Sequence, residues 1–250
     1  MVQIKTAREL SLMKDACRIS AEALRAAGEA VRPGVSTLEI DKIVRHYIEK
    51  QGALPSFLGY GGFPASACIS VNNVVIHGIP NKNTILREGD IVSVDVGAYY
   101  KGYHGDNAYT FACGKISANA QALLDATRES LYEGIKQAVV GNRIGDIGSA
   151  VQRYVEARSY SVVRNYVGHG VGANLHEDPS VPNYGTPGRG PRLLPGMTIA
   201  IEPMVNEGTH HVRVLADEWT VKTVDGKLSA HFEHTVAITP DGPKIMTVCD

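Results

Sequence analysis

The feature that most restricts how this chain can fold is a weak internal repeat. Displaced by 107 positions, the sequence sets Leu24 on Leu131, Gly34 on Gly141, Ile40 on Ile147 and Val44 on Val151. The same offset sets Tyr47 on Tyr154, Glu49 on Glu156, Leu86 on Leu193, Gly89 on Gly196 and Asp95 on Glu202. Each half then reads as two helices and a pair of strands, too small to cover its own sheet. The halves, about 1–112 and 113–250, are therefore expected to share one core, which makes residues 1–250 a single domain. With 44% hydrophobic residues over 250 positions, such a core is within reach of the composition.

Helix starts are marked by capping boxes, in which a side-chain oxygen and a glutamate satisfy orphan amides reciprocally. Thr6 with Glu9 opens a helix expected to run to about Ala30, ahead of Pro33 and Gly34. Ser36 with Glu39 opens a second, with Ile40, Val44, Tyr47 and Ile48 on one face and Gly52 as the stop. Residues 69–76 and 91–98 read as strands separated by a polar turn over Pro80–Asn83, and 107–112 as a third. Helices are expected from about Ala118 to Val139 and from Asp146 to Glu156, with strands and glycine-rich turns beyond.

Four acids stand in strand-like segments beside small residues. Strand alternation puts Ser93 with Asp95, Thr198 and Ala200 with Glu202, Asp106 with Ala108 and Thr110, and Glu233 with Thr235 and Ala237. Two carboxylates about 4 Å apart repel by roughly 1 kcal/mol in water and about 4 at an effective dielectric of 20. If the repeat brings all four together, cations must join them. Arginine or lysine could serve, but none lies in these strands, so divalent metal is the better candidate. His169 sits in Gly168-His169-Gly170, where glycines let backbone approach a bound group; His176 and His77 lie nearby in sequence or in a comparable apolar setting. A lone histidine of this kind is more often structural than functional. One imidazole among several carboxylates suits Mn²⁺, Fe²⁺ or Co²⁺ at least as well as Zn²⁺.

Charge excludes other classes. With 25 basic and 26 acidic side chains the net charge is −1, so no basic field exists to bind nucleic acid. No run of 18 apolar residues suggests a membrane span. The N-terminal residues lack a signal-peptide core, and Cys17, Cys68, Cys113 and Cys249 form no C-x-x-C pair. A cytoplasmic protein with inert buried thiols is the expectation.

In their order and spacing, I-S-V-N-N-V-V-I-H-G-I-P, D-V-G-A-Y-Y-K-G-Y-H-G-D, G-H-G-V-G, I-E-P-M and F-E-H-T-V-A-I resemble the type I methionine aminopeptidases, in the short bacterial form. The resemblance covers nearly the whole chain. It implies an α+β pita-bread fold, two pseudo-symmetric halves forming a curved, mainly antiparallel sheet with helices outside. It implies two divalent ions, with Asp106 and Glu233 bridging both, Asp95 serving one, and His169 with Glu202 the other. It implies removal of the initiator methionine from nascent polypeptides by attack of a metal-bridging hydroxide. Glu202 would shuttle the proton, while His77 and His176 contact the scissile amide.

Tyr60, Phe63, Cys68 and Trp219 would line the methionine pocket, with Phe63 and Leu175 standing where the family often has tyrosine and phenylalanine. A monovalent cation would sit near Asn72, Val74 and Ser229. A monomer with transient ribosome contact is the implied state. Prolidase and aminopeptidase P share the ligand order but carry a large N-terminal domain. Type II enzymes insert a helical segment between the last two glutamates, here only 31 residues apart (233 minus 202). A metal-free binding module on the same fold is the third alternative, opposed by five intact ligand positions.

Overall fold

The computed structural model describes residues 1–248; Cys249 lies outside them. Helix α1 (Ala7–Ala30) and helix α2 (Thr37–Lys50) start at the two expected capping boxes. Thr6 N–H donates to the Glu9 carboxylate at 2.7 Å, and Ser36 N–H to that of Glu39 at 2.8 Å. Then come β1 (Leu54–Pro55), β2 (Ala67–Val71), β3 (Val74–Ile76), β4 (Ile91–Tyr100) and β5 (Tyr103–Ala112). The second half holds α3 (Ala118–Lys136), α4 (Ile144–Glu156), β6 (Ser161–Val162), β7 (Gly168–Gly170), β8 (Glu177–Val181) and β9 (Thr198–Ile201). It continues through β10 (Met204–Asn206), β11 (Val212–Val214), β12 (Val221–Thr223), β13 (Ser229–His231), β14 (His234–Thr239) and β15 (Gly242–Ile245). Among the described residues no helix is long and apolar enough to cross a membrane.

Two expected strands differ. The segment 69–76 is not one strand: Asn72, with φ of 55°, turns the chain between β2, which pairs with β4, and β3, which pairs with β12. The third strand begins at Tyr103 rather than 107, because Lys101 and Gly102 (φ 50° and 89°) close a two-residue hairpin that pairs β4 with β5 along ten positions. Helix α3 ends three residues before the expected Val139, and α4 starts two before Asp146.

The 107-residue offset recurs in hydrogen bonds. Gly34 N–H donates to Leu86 O at 2.9 Å, as Gly141 N–H does to Leu193 O at 3.2 Å. Leu86 N–H donates to Val35 O and Leu193 N–H to Asn142 O, both at 2.8 Å. Isolated bridges join Ser36 to Ile85 and Arg143 to Arg192. Helices α1 and α2 bury Leu24, Ile40 and Val44 against β2 and β4, and α3 and α4 bury Leu131, Ile147 and Val151 against β9 and its neighbours. The strands pair antiparallel throughout, in four hydrogen-bonded groups among the described residues rather than one unbroken sheet.

The halves meet along β5 and residues 231–235. Thr110 Oγ1 donates to His231 O at 2.8 Å and accepts from His231 N–H at 2.9 Å. Thr235 Oγ1 does the same for Asp106, donating to its carbonyl at 2.8 Å and accepting from its N–H at 3.2 Å. Between them Glu233 N–H donates to Ala108 O at 2.9 Å. Two threonine hydroxyls thus stand in for ladder bonds on either side of one direct backbone bond. Helix α1 crosses β5 at Gly105, where a Cβ would lie 2.4 Å from Cys17 backbone.

Thr110→Val leaves the His231 amide and carbonyl without partners in a buried seam. The expected cost is about 1–3 kcal/mol, read as a lower denaturant midpoint at unchanged slope. A midpoint equal to the wild type would show that the hydroxyl does not join the halves.

Candidate metal centre

Asp95 lies mid-β4, opposite Cys68 on β2 and Ala108 on β5. Asp106 lies on β5 opposite Gly97, where any Cβ would strike Phe57 and Ser56 at 2.7 Å. His169 is the middle residue of β7, Glu202 follows β9, and Glu233 precedes β14. The glycines flanking His169 serve packing: a Cβ at Gly168 or Gly170 would lie 2.3 Å from the carbonyl oxygens of Ala200 or Asp178. The expected close approach is therefore between neighbouring strands, not between backbone and a bound group.

These five side chains line one cavity of about 180 Å³. Ligand atoms of Asp106, His169 and Glu233 lie within 4.8 Å of one another. His169 Nε2 is 3.7 Å from Asp106 Oδ2 and 3.6 Å from Glu202 Oε1. His169 Nδ1 is 2.8 Å from Gly170 O; a carbonyl only accepts, so Nδ1 carries the proton and Nε2 presents its lone pair to the acids.

Burial pushes all four carboxyl groups up. Asp95, Glu202 and Glu233 rise well above the usual carboxylate range, desolvation first and mutual repulsion second. Asp106 rises to about 7 through burial. Desolvation also pulls His169 down to about 3, so it stays a neutral donor. Oδ1 of Asp95, Oδ1 of Asp106 and Oε1 of Glu233 are buried without a hydrogen-bond partner. Three orphaned acid oxygens and an imidazole lone pair facing one space are a donor set that fits divalent cations, and no lysine or arginine lines the cavity to take their place.

The same cavity receives every expected pocket residue. Phe63 and Cys68 are buried in its wall with Phe57 and Leu175, and Trp219 meets the Phe63 ring edge-on at 5.1 Å. Leu175 is thus part of the wall, and burial holds the Cys68 thiol protonated. Tyr60 is half-exposed at the mouth, its hydroxyl 2.8 Å from His176 Nδ1. His77 adopts φ of 56°, unusual for a non-glycine residue, and its ring meets Tyr166 and Trp219 edge-on. Desolvation lowers both histidines, His77 to about 4.

Asn72, Val74 and Ser229 lie outside the cavity. Ser229 N–H donates to Asn72 O at 2.9 Å, and the Ser229 hydroxyl donates to Asn206 Oδ1 at 2.8 Å. Sequence reasoning missed Phe57, Gly61 and His231. Phe57 and Gly61 carry no pattern signal. His231 ends β13 two residues before Glu233, and that spacing alone could have marked it. It is buried, and its Nε2 lies 3.6 Å from Glu202 Oε2.

Carboxylates clustered with an imidazole beside an apolar pocket point to a metal-dependent hydrolase. Residues 11–240 match the model of metallopeptidase family M24, and the chain belongs to that family. A methionine aminopeptidase of Clostridium acetobutylicum is 53% identical over 250 residues, covering 100% of both chains. Methionine aminopeptidase 1 of Bacillus subtilis is 54% identical over 247 residues, with 99% of each covered. The solved methionine aminopeptidase of Thermotoga maritima superposes with a TM-score of 0.97 at 47% identity, covering 99% of both. A Pyrococcus furiosus prolidase shares the fold at 24% identity and a TM-score of 0.79, over 99% of this chain and 66% of that one. The pita-bread fold expected of this α+β chain is the one it adopts.

Each acid's folded pKa lies above its unfolded value near 4, so between about pH 4 and 7 the metal-free fold retains protons that metal must displace. The gap in Tm between Mn²⁺-loaded and chelated protein is expected to widen as pH rises from 5.5 to 7.5. Each displaced proton contributes about 1.4 kcal/mol per pH unit, or roughly 2–4 °C. Histidines away from the metal titrate in both forms and cancel in the difference. A gap independent of pH would show that these carboxyl groups do not bind the ion.

Proposed function

We propose that this chain is a cytoplasmic, monomeric methionyl aminopeptidase that removes the initiator methionine from nascent polypeptides, with transient ribosome contact. Residues 1–250 act as one catalytic unit of two halves. The observation that carries this reading is three buried, partnerless acid oxygens opening onto a narrow apolar slot. On this reading Asp106 and Glu233 would serve both of two divalent ions, Asp95 would complete one, and His169 with Glu202 the other. A bound pair supplies Lewis acidity and activates the attacking water. Mn²⁺, Fe²⁺, Co²⁺ and Zn²⁺ all suit the oxygen-rich set.

The protein's own groups do the rest. Glu202, raised by burial, takes the proton of the attacking water and returns it to the leaving amine. His77 and His176, both lining the cavity, would contact the scissile amide and hold the charge that grows on its oxygen; the Tyr60 hydroxyl bonds His176. Phe63, Cys68, Leu175 and Trp219 take up the thioether side chain, and the Cys68 sulfur adds a polarisable contact. Leucine and phenylalanine at positions 175 and 63 keep the wall apolar. A monovalent cation near Asn72, Val74 and Ser229 would brace β3 against β13.

The test is hydrolysis of Met-Ala-Ser against Ala-Pro-Phe under a Mn²⁺ or Co²⁺ titration. Cleavage of the methionyl peptide alone is expected; preference for Ala-Pro-Phe would favour the proline-specific relatives. Bound metal with no hydrolysis of either peptide would overturn the assignment. His77→Ala and His176→Ala should each lower kcat by about 10²–10³, and near-normal kcat in either would remove that histidine from the reaction.

A further inference from the structure

His231 is the one buried imidazole facing the acid cluster that the proposed reaction leaves unused. Its backbone is fixed on both sides: Thr110 Oγ1 bridges its N–H and carbonyl, and β13 pairs it with Met204 of β10. The ring therefore has little freedom. It is 1% exposed, and Nε2 is buried with no hydrogen-bond partner. Oε2 of Glu202 lies 3.6 Å away, a few tenths of an ångström beyond hydrogen-bond length.

Glu202 is consequently held between two imidazoles, with Oε1 facing His169 Nε2 and Oε2 facing His231 Nε2, each at 3.6 Å. The two rings differ in what holds them. His169 commits its proton to Gly170 O and offers a lone pair. No backbone carbonyl bond is found for His231, and once Glu202 is ionised a lone pair on His231 Nε2 would oppose those of Oε2, with no cation assigned between them as there is at His169. A proton on Nε2 converts that repulsion into an N–H···O contact.

We propose that His231 is a positioning residue: it donates its Nε2–H to Oε2 of Glu202 and so fixes which carboxylate oxygen faces the reacting water and metal. The proposal rests on the proton-shuttle reading of Glu202. Without the donor the Glu202 carboxylate is held from the His169 side alone, and the oxygen that must take and return a proton is aligned for less of the time. Glutamine at 231 carries an amide N–H of similar reach; leucine has the bulk without the donor, and asparagine the donor without the reach.

The experiment uses the full chain loaded with Mn²⁺. For His231→Leu, kcat on Met-Ala-Ser should fall about 10- to 100-fold, as with other hydrogen-bond partners of metal-site ligands. KM should stay within about threefold, and calorimetric titration should give the wild-type number of Mn²⁺ sites. His231→Gln should restore kcat to within about threefold of the wild type. Unchanged kcat in the leucine variant, or a glutamine variant as slow as leucine, overturns the proposal. So does loss of one Mn²⁺ site, which would make His231 a ligand. If the leucine variant fails to fold, His231→Asn replaces it under the same criteria. Glu202→Gln separates the two readings: if it hydrolyses normally, the shuttle assignment fails. If it is inactive while His231→Leu is normal, only the role of His231 fails.

Discussion

The acid cluster depends on the way two threonine hydroxyls join the halves beside it, in addition to the pairing of β3 with β12. Thr110 and Thr235 each bridge an N–H and a carbonyl of the facing segment, and one backbone bond, Glu233 N–H to Ala108 O, lies between them. The seam sets Asp106 and Glu233 face to face, one from each half, so that neither half alone holds a complete donor set. The arrangement is electrostatically adverse by itself. Like charges a few ångströms apart repel, and burial adds a desolvation cost to each. Burial and mutual repulsion raise the pKa of each of these acids, so any cation that binds among them displaces protons.

Backbone geometry prepares the neutral side of the site as strictly as the acidic side. Glycines 168 and 170 admit the carbonyls of Asp178 and Ala200 against β7, and that tight packing leaves Gly170 O where it accepts from His169. The imidazole is thereby fixed in ring orientation and in tautomer. A single local constraint, the absence of two Cβ atoms, determines which nitrogen is available to an ion.

Much of this was legible in the sequence because local chemistry and tertiary need agree. The Thr6–Glu9 and Ser36–Glu39 boxes mark helix starts to the residue, since the orphan amides have few other partners. Strand alternation placed Asp95 and Asp106 on faces that meet, and the 107-residue offset recurs in hydrogen bonds such as Gly34 to Leu86 and Gly141 to Leu193. What escaped depends on long-range pairing. The hairpin at Lys101–Gly102 has a weaker signature than Asn-Gly, so β5 read as starting late. The break at Asn72 exists because β3 is claimed by β12, some 150 residues on (222 minus 74), and no local pattern reports that. The role of Phe57 follows from the gap opened by Gly97, which is likewise invisible along the chain.

The loop that carries His176 is held by a different device, a buried ion pair. Lys5 Nζ meets Glu177 with both side chains almost fully enclosed, at 4% and 2% exposure. Glu177 also accepts from Asn174 N–H, and Lys5 N–H donates to Gly196 O. The segment ahead of α1 is thus fastened at one end to the turn before β9 and at the other to the residue after His176. Desolvation makes such a pair a poor source of net stability compared with apolar packing. Its value lies in selectivity of conformation: a displaced loop would strand a charge in a dry interior, at a cost of about 3–5 kcal/mol. Apolar contacts at the same place would tolerate sliding by an ångström or more. The buried pair fixes the residue next to His176, where position matters more than stability.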